Sequence, residues 1–127
     1  MSIADVHGRI AQAMILFTLI ASAYGWIEYF RKKPVSPNYW GVIVVGNLLA
    51  LGQGLLGAWM AINGAQPARG WIHILYGVVA LLWIPLIQFG NNQFLKEGHA
   101  KHQETLVTAI VSVFEFGIAL RAMATGG

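Results

Sequence analysis

Four long apolar stretches, separated by short polar segments, make up most of the chain. They cover residues 10–30, 39–62, 71–89 and 105–123, with 19 to 24 residues in each. A helix of about 20 residues crosses the roughly 30 Å hydrocarbon layer of a bilayer and bonds its own backbone polar groups there. The pattern therefore predicts an integral membrane protein with one four-helix domain. The predicted transmembrane helices lie at about 5–31, 39–63, 70–90 and 104–123.

The connections indicate how these helices are arranged. Segments 31–38 and 63–70 are short and contain proline, which stops a helix. Sequential helices joined by short connections are antiparallel neighbours, so we predict an all-α, antiparallel up-and-down bundle. Pro85 is expected to kink the third helix. Ser2 and Asp5 have the spacing of a capping box, which would start the first helix.

The composition agrees with a membrane protein. Charged residues make up only 10% of the chain, against about 25% in soluble domains. The net charge of +3 does not indicate a nucleic-acid partner, because the basic residues lie at the ends of the apolar stretches. The absence of cysteine excludes disulfides, thiolate metal sites, iron–sulfur clusters and covalent attachment of a c-type heme.

The distribution of basic residues predicts the orientation in the membrane. Four crossings put both termini on one side, here called side A, and the opposite side is side B. Side A holds Arg9, Arg69 and Arg121, and side B holds Arg31, Lys32, Lys33, Lys96 and Lys101. Cytoplasmic loops are enriched in Lys and Arg, so side B is expected to be cytoplasmic and both termini extracytoplasmic, in a bacterial plasma membrane. Interfacial aromatic residues are expected at Trp26, Tyr29, Tyr39 and Trp40 on side B, and at Trp59 and Trp71 on side A.

Two histidines stand at the same depth in the predicted bundle. His7 and His73 lie near the side-A ends of the first and third helices, which are diagonal to each other. The diagonal of such a bundle is about 14 Å when neighbouring helices are about 10 Å apart. Two imidazoles reaching inward from that distance can both bind one metal ion, at about 2 Å per bond. The pair predicts one bis-histidine heme b on the extracytoplasmic side, although a chlorophyll held by one histidine would use the same space.

Small and basic residues surround this pair. Ala11 and Gly77 lie one turn further into the membrane than the two histidines, which leaves space for a macrocycle. One face of the second helix adds further candidates, namely Gly46, Ala50, Gln53 and Gly57. Arg9, Arg69 and Arg121 are candidate partners for heme propionates. Small residues on transmembrane helices also serve simply as packing surfaces, and that alternative stays open.

The fourth helix has a polar face with a buried acid. Thr105, Thr108, Ser112, Glu115 and Ala119 recur at helical spacing, so Glu115 should point into the bundle. Its role could be a contact with a proton or a quinone, or a structural hydrogen bond to Gln53. The polar loop that follows the third helix contains His99 and His102, which either share a metal or are solvated.

Three sequence segments resemble one heme-bearing half of the heme A synthase family. They are Leu-Gly-Gln-Gly-Leu-Leu-Gly at 51–57, Asn-Gly-Ala-Gln-Pro at 63–67 followed by His73, and His7-Gly-Arg before an apolar helix. The resemblance covers about residues 5–90 and implies heme b ligation by His7 and His73. Ala4 stands where the family has its catalytic glutamate, and the family's second four-helix half is absent. The resemblance therefore implies a heme-binding module rather than a heme A synthase.

The sequence thus predicts a small cytochrome b-like electron carrier that has no catalytic residue. Its expected partners are the lipid bilayer and a quinone or other membrane-complex subunits. The alternative is a non-catalytic accessory subunit of a larger respiratory or photosynthetic complex, with or without a cofactor. Short loops favour that alternative, because almost the whole surface then faces lipid or other helices.

Overall fold

The computed structural model describes residues 2–64 and 71–126, which form helices and short connections and contain no strand. The helices are α1 (Ile3–Phe30), α2 (Pro37–Ile62), α3 (Trp71–Leu81), α4 (Trp83–Phe94) and α5 (Lys101–Gly126). Helices α1, α2 and α5 are each long and apolar enough to cross a membrane, and α3 with α4 forms a fourth, bent candidate. The prediction of an all-helical fold is thereby confirmed, and three or four of its spans are long and apolar enough to cross a membrane.

The surface of the helices is apolar. Phe30 is 75% exposed, Leu55 is 66% exposed and Ile74 is 57% exposed, and each belongs to a different helix. Soluble proteins rarely leave so many large apolar side chains in water, so this surface suits the hydrocarbon of a bilayer. The outward-facing side chains are consistent with membrane insertion of the helices.

The helix starts follow the local sequence signals. The Ser2 hydroxyl accepts a hydrogen bond from the Asp5 backbone N–H at 3.1 Å, and the Asp5 carboxylate accepts one from the Ser2 N–H at 3.0 Å. This is the predicted capping box. Helix α2 begins with Ser36 as N-cap and Pro37 in its first turn, where the missing N–H of proline costs nothing.

The predicted third helix is broken rather than gently kinked. Helices α3 and α4 meet at Leu82 with a bend of 63°. Pro85 causes the break, because its ring clashes with the carbonyl of Leu81 and it has no N–H to donate. The Asn47 side-chain oxygen of α2 accepts a hydrogen bond from the Ile84 N–H at 3.3 Å. The neighbouring helix therefore stabilises the backbone next to the bend.

The helices pack in a cyclic order. Helix α1 packs against α2 and α5, and α3 and α4 pack against the same two helices. No Cα atom of α1 lies within 8 Å of a described Cα atom of α3 or α4. The cluster nearer side B contains Ala21, Tyr39, Ile43, Trp83 and Ile87. The cluster nearer side A contains Met14, Ala50, Ala80 and Ile118.

Two glycines permit close approach between helices. The indole of Trp83 lies directly on Gly46, so that a Cβ atom there would collide with the ring. A Cβ atom on Gly25 would lie 2.8 Å from the Cβ atom of Ala109 and would overlap the Tyr39 hydroxyl. The Trp83 indole therefore fills the space next to Gly46, and no macrocycle fits there. This corrects the expectation from the sequence that Gly46 would help to make room for a macrocycle.

The aromatic residues of the predicted interfacial belts divide into two groups. Trp40, Trp59 and Trp71 are exposed. Tyr39 is completely buried, which corrects its predicted place in the belt on side B. Its ring stacks on that of Tyr24, with the ring centroids 5.3 Å apart.

Candidate functional site

His7 and His73 face each other at side A. His7 lies in the second turn of α1 and His73 in the first turn of α3. The centroids of the two imidazole rings are 6.1 Å apart, and the ring planes are inclined at 73°. Because no Cα atom of α1 lies within 8 Å of a Cα atom of α3, the two histidines meet through their side chains.

This separation is close to what two imidazoles on one metal ion require. An imidazole nitrogen lies about 1.1 Å from the centre of its ring, as five bonds of about 1.33 Å dictate. With about 2 Å for each metal–nitrogen bond, two opposed ligands place their ring centroids about 6.3 Å apart. The measured 6.1 Å fits that arrangement.

The backbone fixes the orientation of the His73 ring. Its Nδ1 atom lies 2.8 Å from the carbonyl oxygen of Ala122 in α5. A carbonyl can only accept a hydrogen bond, so Nδ1 carries the proton in this contact. The lone pair is then on Nε2, which is the tautomer that a histidine needs to bind a metal through Nε2.

The His7 ring packs against α2. A Cβ atom built on Gly57 would lie 3.7 Å from the Cε1 atom of His7, which is an ordinary van der Waals distance, so the ring lies directly beside this glycine. Gln53 lies beside the same ring. The Nδ1 atom of His7 and the Oε1 atom of Gln53 are both buried and have no hydrogen-bond partner among residues 2–64 and 71–126. Unpartnered buried polar atoms are unfavourable, by about 1–3 kcal/mol each, and they mark a site suited to a polar or metal-containing ligand.

Of the small residues near the histidines, those close to side A leave open space beside them. Ala11 and Gly77 are partly exposed, and a Cβ atom on Gly77 would meet no other atom within 4 Å. Ala50 is only 2% exposed and belongs to the side-A cluster. The structure thus brings His7, His73, Gln53 and Gly57 together, whereas Gly46 and Ala50 are used for helix packing.

The predicted propionate partners lie partly within the described residues. Arg9 is exposed in α1, two residues after His7. Arg121 is exposed in α5, next to the residue whose carbonyl contacts His73. Arg69 lies outside the described residues. Two basic side chains are therefore on the same side as the histidine pair.

The histidines of side B have separate partners. The Nε2 atom of His99 is 3.1 Å from a Glu104 carboxylate oxygen, and its Nδ1 atom is 2.8 Å from the Lys96 carbonyl oxygen. The His102 ring packs near Tyr29, with the ring centroids 6.1 Å apart. Within residues 2–64 and 71–126, no group of three or more potential metal ligands occurs. The alternative of a metal shared by His99 and His102 is not supported by these contacts.

The polar face of α5 is buried, as predicted. Thr105, Thr108, Ser112 and Glu115 are each at most 1% exposed, and Ala119 is 6% exposed. Neither carboxyl oxygen of Glu115 has a hydrogen-bond partner among the described residues. The hydrogen bond expected between Glu115 and Gln53, which are both described, is therefore absent.

Sequence reasoning missed the contact that joins α2 to this polar face. The Tyr39 hydroxyl lies 3.1 Å from the Ser112 hydroxyl. Tyr39 reaches α5 across the diagonal by passing alongside Gly25, which has no side chain to obstruct it. Only the pairing of Gly25 with Ala109 could have indicated this contact, and that pairing is not evident from either helix alone.

Comparisons with known proteins identify no relative. No model of a known protein family matches the chain, and no curated protein or solved structure is significantly similar to it. The function is therefore inferred from the geometry of the site and from the chemistry of its residues.

Proposed function

We propose that the chain is an antiparallel four-helix transmembrane bundle that binds one heme b between His7 and His73 and transfers electrons near side A. The observation that carries this proposal is the pair of imidazoles with ring centroids 6.1 Å apart, on two helices whose Cα atoms do not approach within 8 Å. This separation of the rings suits two imidazole ligands of one metal ion.

The contacts between helices support the bundle. The cyclic packing order makes α1 diagonal to α3 and α4, and makes α2 diagonal to α5. A four-helix bundle with short connections has this arrangement when α3 and α4 count as one bent span. The excess of basic residues on side B supports a cytoplasmic side B and extracytoplasmic termini, as in a bacterial plasma membrane.

Each residue near the pair has a defined part in binding. His73 presents Nε2 because Ala122 holds its Nδ1 proton. Gln53 lies where its side-chain oxygen can accept the second ring proton of His7 after a small rotation. Such partners fix the tautomer and orientation of ligand histidines. Gly77 and Ala11 leave room beside the ligands.

Charge at the outer rim would complete the site. Arg9 and Arg121, together with Arg69 from the sequence, supply positive charge where propionates would lie at side A. A bound heme would supply a one-electron couple, and His7 and His73 would be its two protein ligands. Electron transfer to a quinone or a partner protein is therefore the activity that fits, and oxygen activation is not expected.

The second candidate is an accessory subunit of a larger respiratory or photosynthetic membrane complex. The large apolar side chains exposed on every long helix favour it, because other helices can cover them as well as lipid can. This role is compatible with a bound heme. It becomes the leading function if the purified chain carries no tetrapyrrole.

The heme content of the purified protein tests the proposal. The chain would be produced in heme-sufficient cells, purified in mild detergent, and analysed by a reduced-minus-oxidised absorption spectrum and pyridine extraction. We expect b-type bands and one noncovalent heme per chain, since there is no cysteine to attach it. A colourless protein, or a pigment with the spectrum of a chlorophyll, would contradict the heme proposal.

A further inference from the structure

Glu115 is the one carboxylic acid in the middle of the described helices. Helix α2 has no charged residue, α1 has none between Arg9 and Glu28, and α3 and α4 contain no Asp, Glu, Lys or Arg. Helices α1, α3 and α4 pack against α5, and their other titratable side chains are Tyr24 and Tyr76 away from the helix ends, His7 and His73 at side A, and Asp5, Arg9, Glu28 and Tyr29 near the ends of α1. Tyr39, in the first turn of α2, also reaches α5. Glu115 lies 14 residues after Lys101, so it is about 21 Å from the start of α5.

The surroundings of Glu115 favour a bound proton. The residue is 1% exposed, and both of its carboxyl oxygens lack hydrogen-bond partners in the described part of the chain. A buried carboxylate with neither a counter-charge nor a hydrogen-bond donor is strongly unfavourable. The carboxyl group therefore holds a proton, and that proton must have a route from water.

Hydroxyl groups lead from Glu115 towards side B. Ser112 and Thr108 lie three and seven residues before Glu115 on the same buried face of α5. The Ser112 hydroxyl donates to the Thr108 carbonyl at 2.8 Å and is 3.1 Å from the Tyr39 hydroxyl. Each hydroxyl oxygen still has lone pairs that can accept a proton in exchange. The hydroxyls therefore occupy two successive turns between the acid and side B.

A cavity opens this row of hydroxyls to side B. It has a volume of about 450 Å³ and is lined by groups that include Thr108, Asn91 and Glu104. The Asn91 side-chain oxygen is buried there without a hydrogen-bond partner among the described residues. One water molecule occupies about 30 Å³ of liquid volume, and polar walls are what hold waters in a cavity. The cavity can therefore bring water to the hydroxyl of Thr108.

The opposite direction is closed by apolar side chains. Met14, Ala50, Ala80 and Ile118 form the side-A cluster, with Ile118 one turn beyond Glu115 in α5. The four buried side chains of this cluster carry no hydroxyl, carboxyl or amide group that could pass a proton on, and the partly buried Tyr76 packs against them. The described residues therefore place a row of buried hydroxyls towards side B and an apolar cluster towards side A.

We propose that Glu115 is a proton-binding site that exchanges with water on side B only, through the cavity, Thr108, Ser112 and Tyr39. A hydrated proton in the cavity passes along the hydroxyls and neutralises the Glu115 carboxylate, and release reverses these transfers. Water molecules complete the steps from Thr108 to Ser112 and from Ser112 to Glu115, because no direct hydrogen bond joins these side-chain groups in the described structure. No electron is gained or lost. The proposal does not depend on the heme, because none of these residues contacts the histidine pair in the described structure.

Infrared spectroscopy of the full-length protein tests the proposal. The protonated carboxylic acid should give a carbonyl band that is lost in Glu115→Gln, a neutral variant of nearly the same shape. In sealed vesicles of known orientation, the band should shift rapidly when D₂O is added at side B and slowly when D₂O is added at side A. Absence of the band, or equal rates from both sides, would overturn the proposal.

Variants that each remove one hydroxyl of the proposed path, here called relay variants, test the route of the proton when compared with a matched control. Ser112→Ala and Tyr39→Phe each remove one hydroxyl, and each should slow exchange from side B about tenfold, since a broken link costs on the order of one hydrogen bond. Ser22→Ala is the control, because Ser22 is a buried hydroxyl of α1 whose hydrogen bond is to the Thr18 carbonyl, at 2.8 Å, and not to a member of the proposed path. Equal exchange in the wild type and both relay variants would overturn the route.

Discussion

Replacement of His73 by alanine is expected to abolish the low-spin b-type spectrum of the protein, and His7→Ala is expected to do the same. Each variant leaves at most one imidazole for the iron, which then becomes high-spin or loses its heme. The loss of affinity should exceed the roughly 10- to 100-fold effect of removing a second-shell partner. Absorption spectra of the purified variants, with heme extraction, measure the effect.

His99 and His102 provide the matched controls for this prediction. Both are histidines of the same chain, but they lie at side B, where His99 contacts Glu104 and His102 packs near Tyr29. Alanine at either position should leave the heme content and the spectrum unchanged. A wild-type spectrum in His73→Ala would show that this histidine does not bind the iron.

Trp83→Ala is expected to produce the largest loss of stability of any single core substitution. The indole is completely buried and fills the space above Gly46 within the side-B cluster. Truncation of buried aromatic residues costs about 3–5 kcal/mol in soluble proteins. We expect roughly 2–4 kcal/mol here, because lipid gives the helices no hydrophobic drive to associate and the loss is mainly of packing contacts. Denaturation in mixed detergent micelles, followed by circular dichroism, measures the change.

Trp71→Ala is the control, because it makes the same substitution at a tryptophan that is not packed in the core. Trp71 is 70% exposed at the start of α3, so its truncation removes few packing contacts. Its effect on the free energy of unfolding should stay within about 0.5 kcal/mol. Equal destabilisation by the two substitutions would contradict the assignment of Trp83 as the centre of the core.

The helices and their local signals were predictable from the sequence because they depend on short-range rules. Apolar stretches of the right length give the spans, and the Ser2 capping box gives the start of α1. The buried face of α5 follows from helical periodicity, which places Thr108, Ser112 and Glu115 in line.

Contacts between helices were not predictable to the same degree. The position of the bend at Leu82 follows from Pro85, but its 63° angle also depends on how α3 and α4 pack against α2 and α5. Gly46 could have seated a macrocycle or a side chain, and only the packing against Trp83 decides between them. Tyr39 is an aromatic residue near a predicted membrane interface, where such residues are usually exposed. Its ring nevertheless enters the core, because Gly25 has no side chain to block it.

The histidine site was predictable in part. Equal depth on diagonal helices could be read from the order and length of the spans, and this placed His7 near His73. The contact of His73 with the Ala122 carbonyl could not be foreseen, because it joins residues 49 positions apart. The same applies to Gln53, which lies beside His7 and makes no hydrogen bond with Glu115.

The electron paramagnetic resonance spectrum of the oxidised, purified protein is the most direct measurement of ligation by His7 and His73. The spin state of ferric heme reports how many strong axial ligands the iron has. We expect a low-spin signal of two imidazole ligands, in an amount that matches the protein, with no high-spin component. A high-spin signal in the wild type, or a sample without heme iron, would contradict the proposed bis-histidine site.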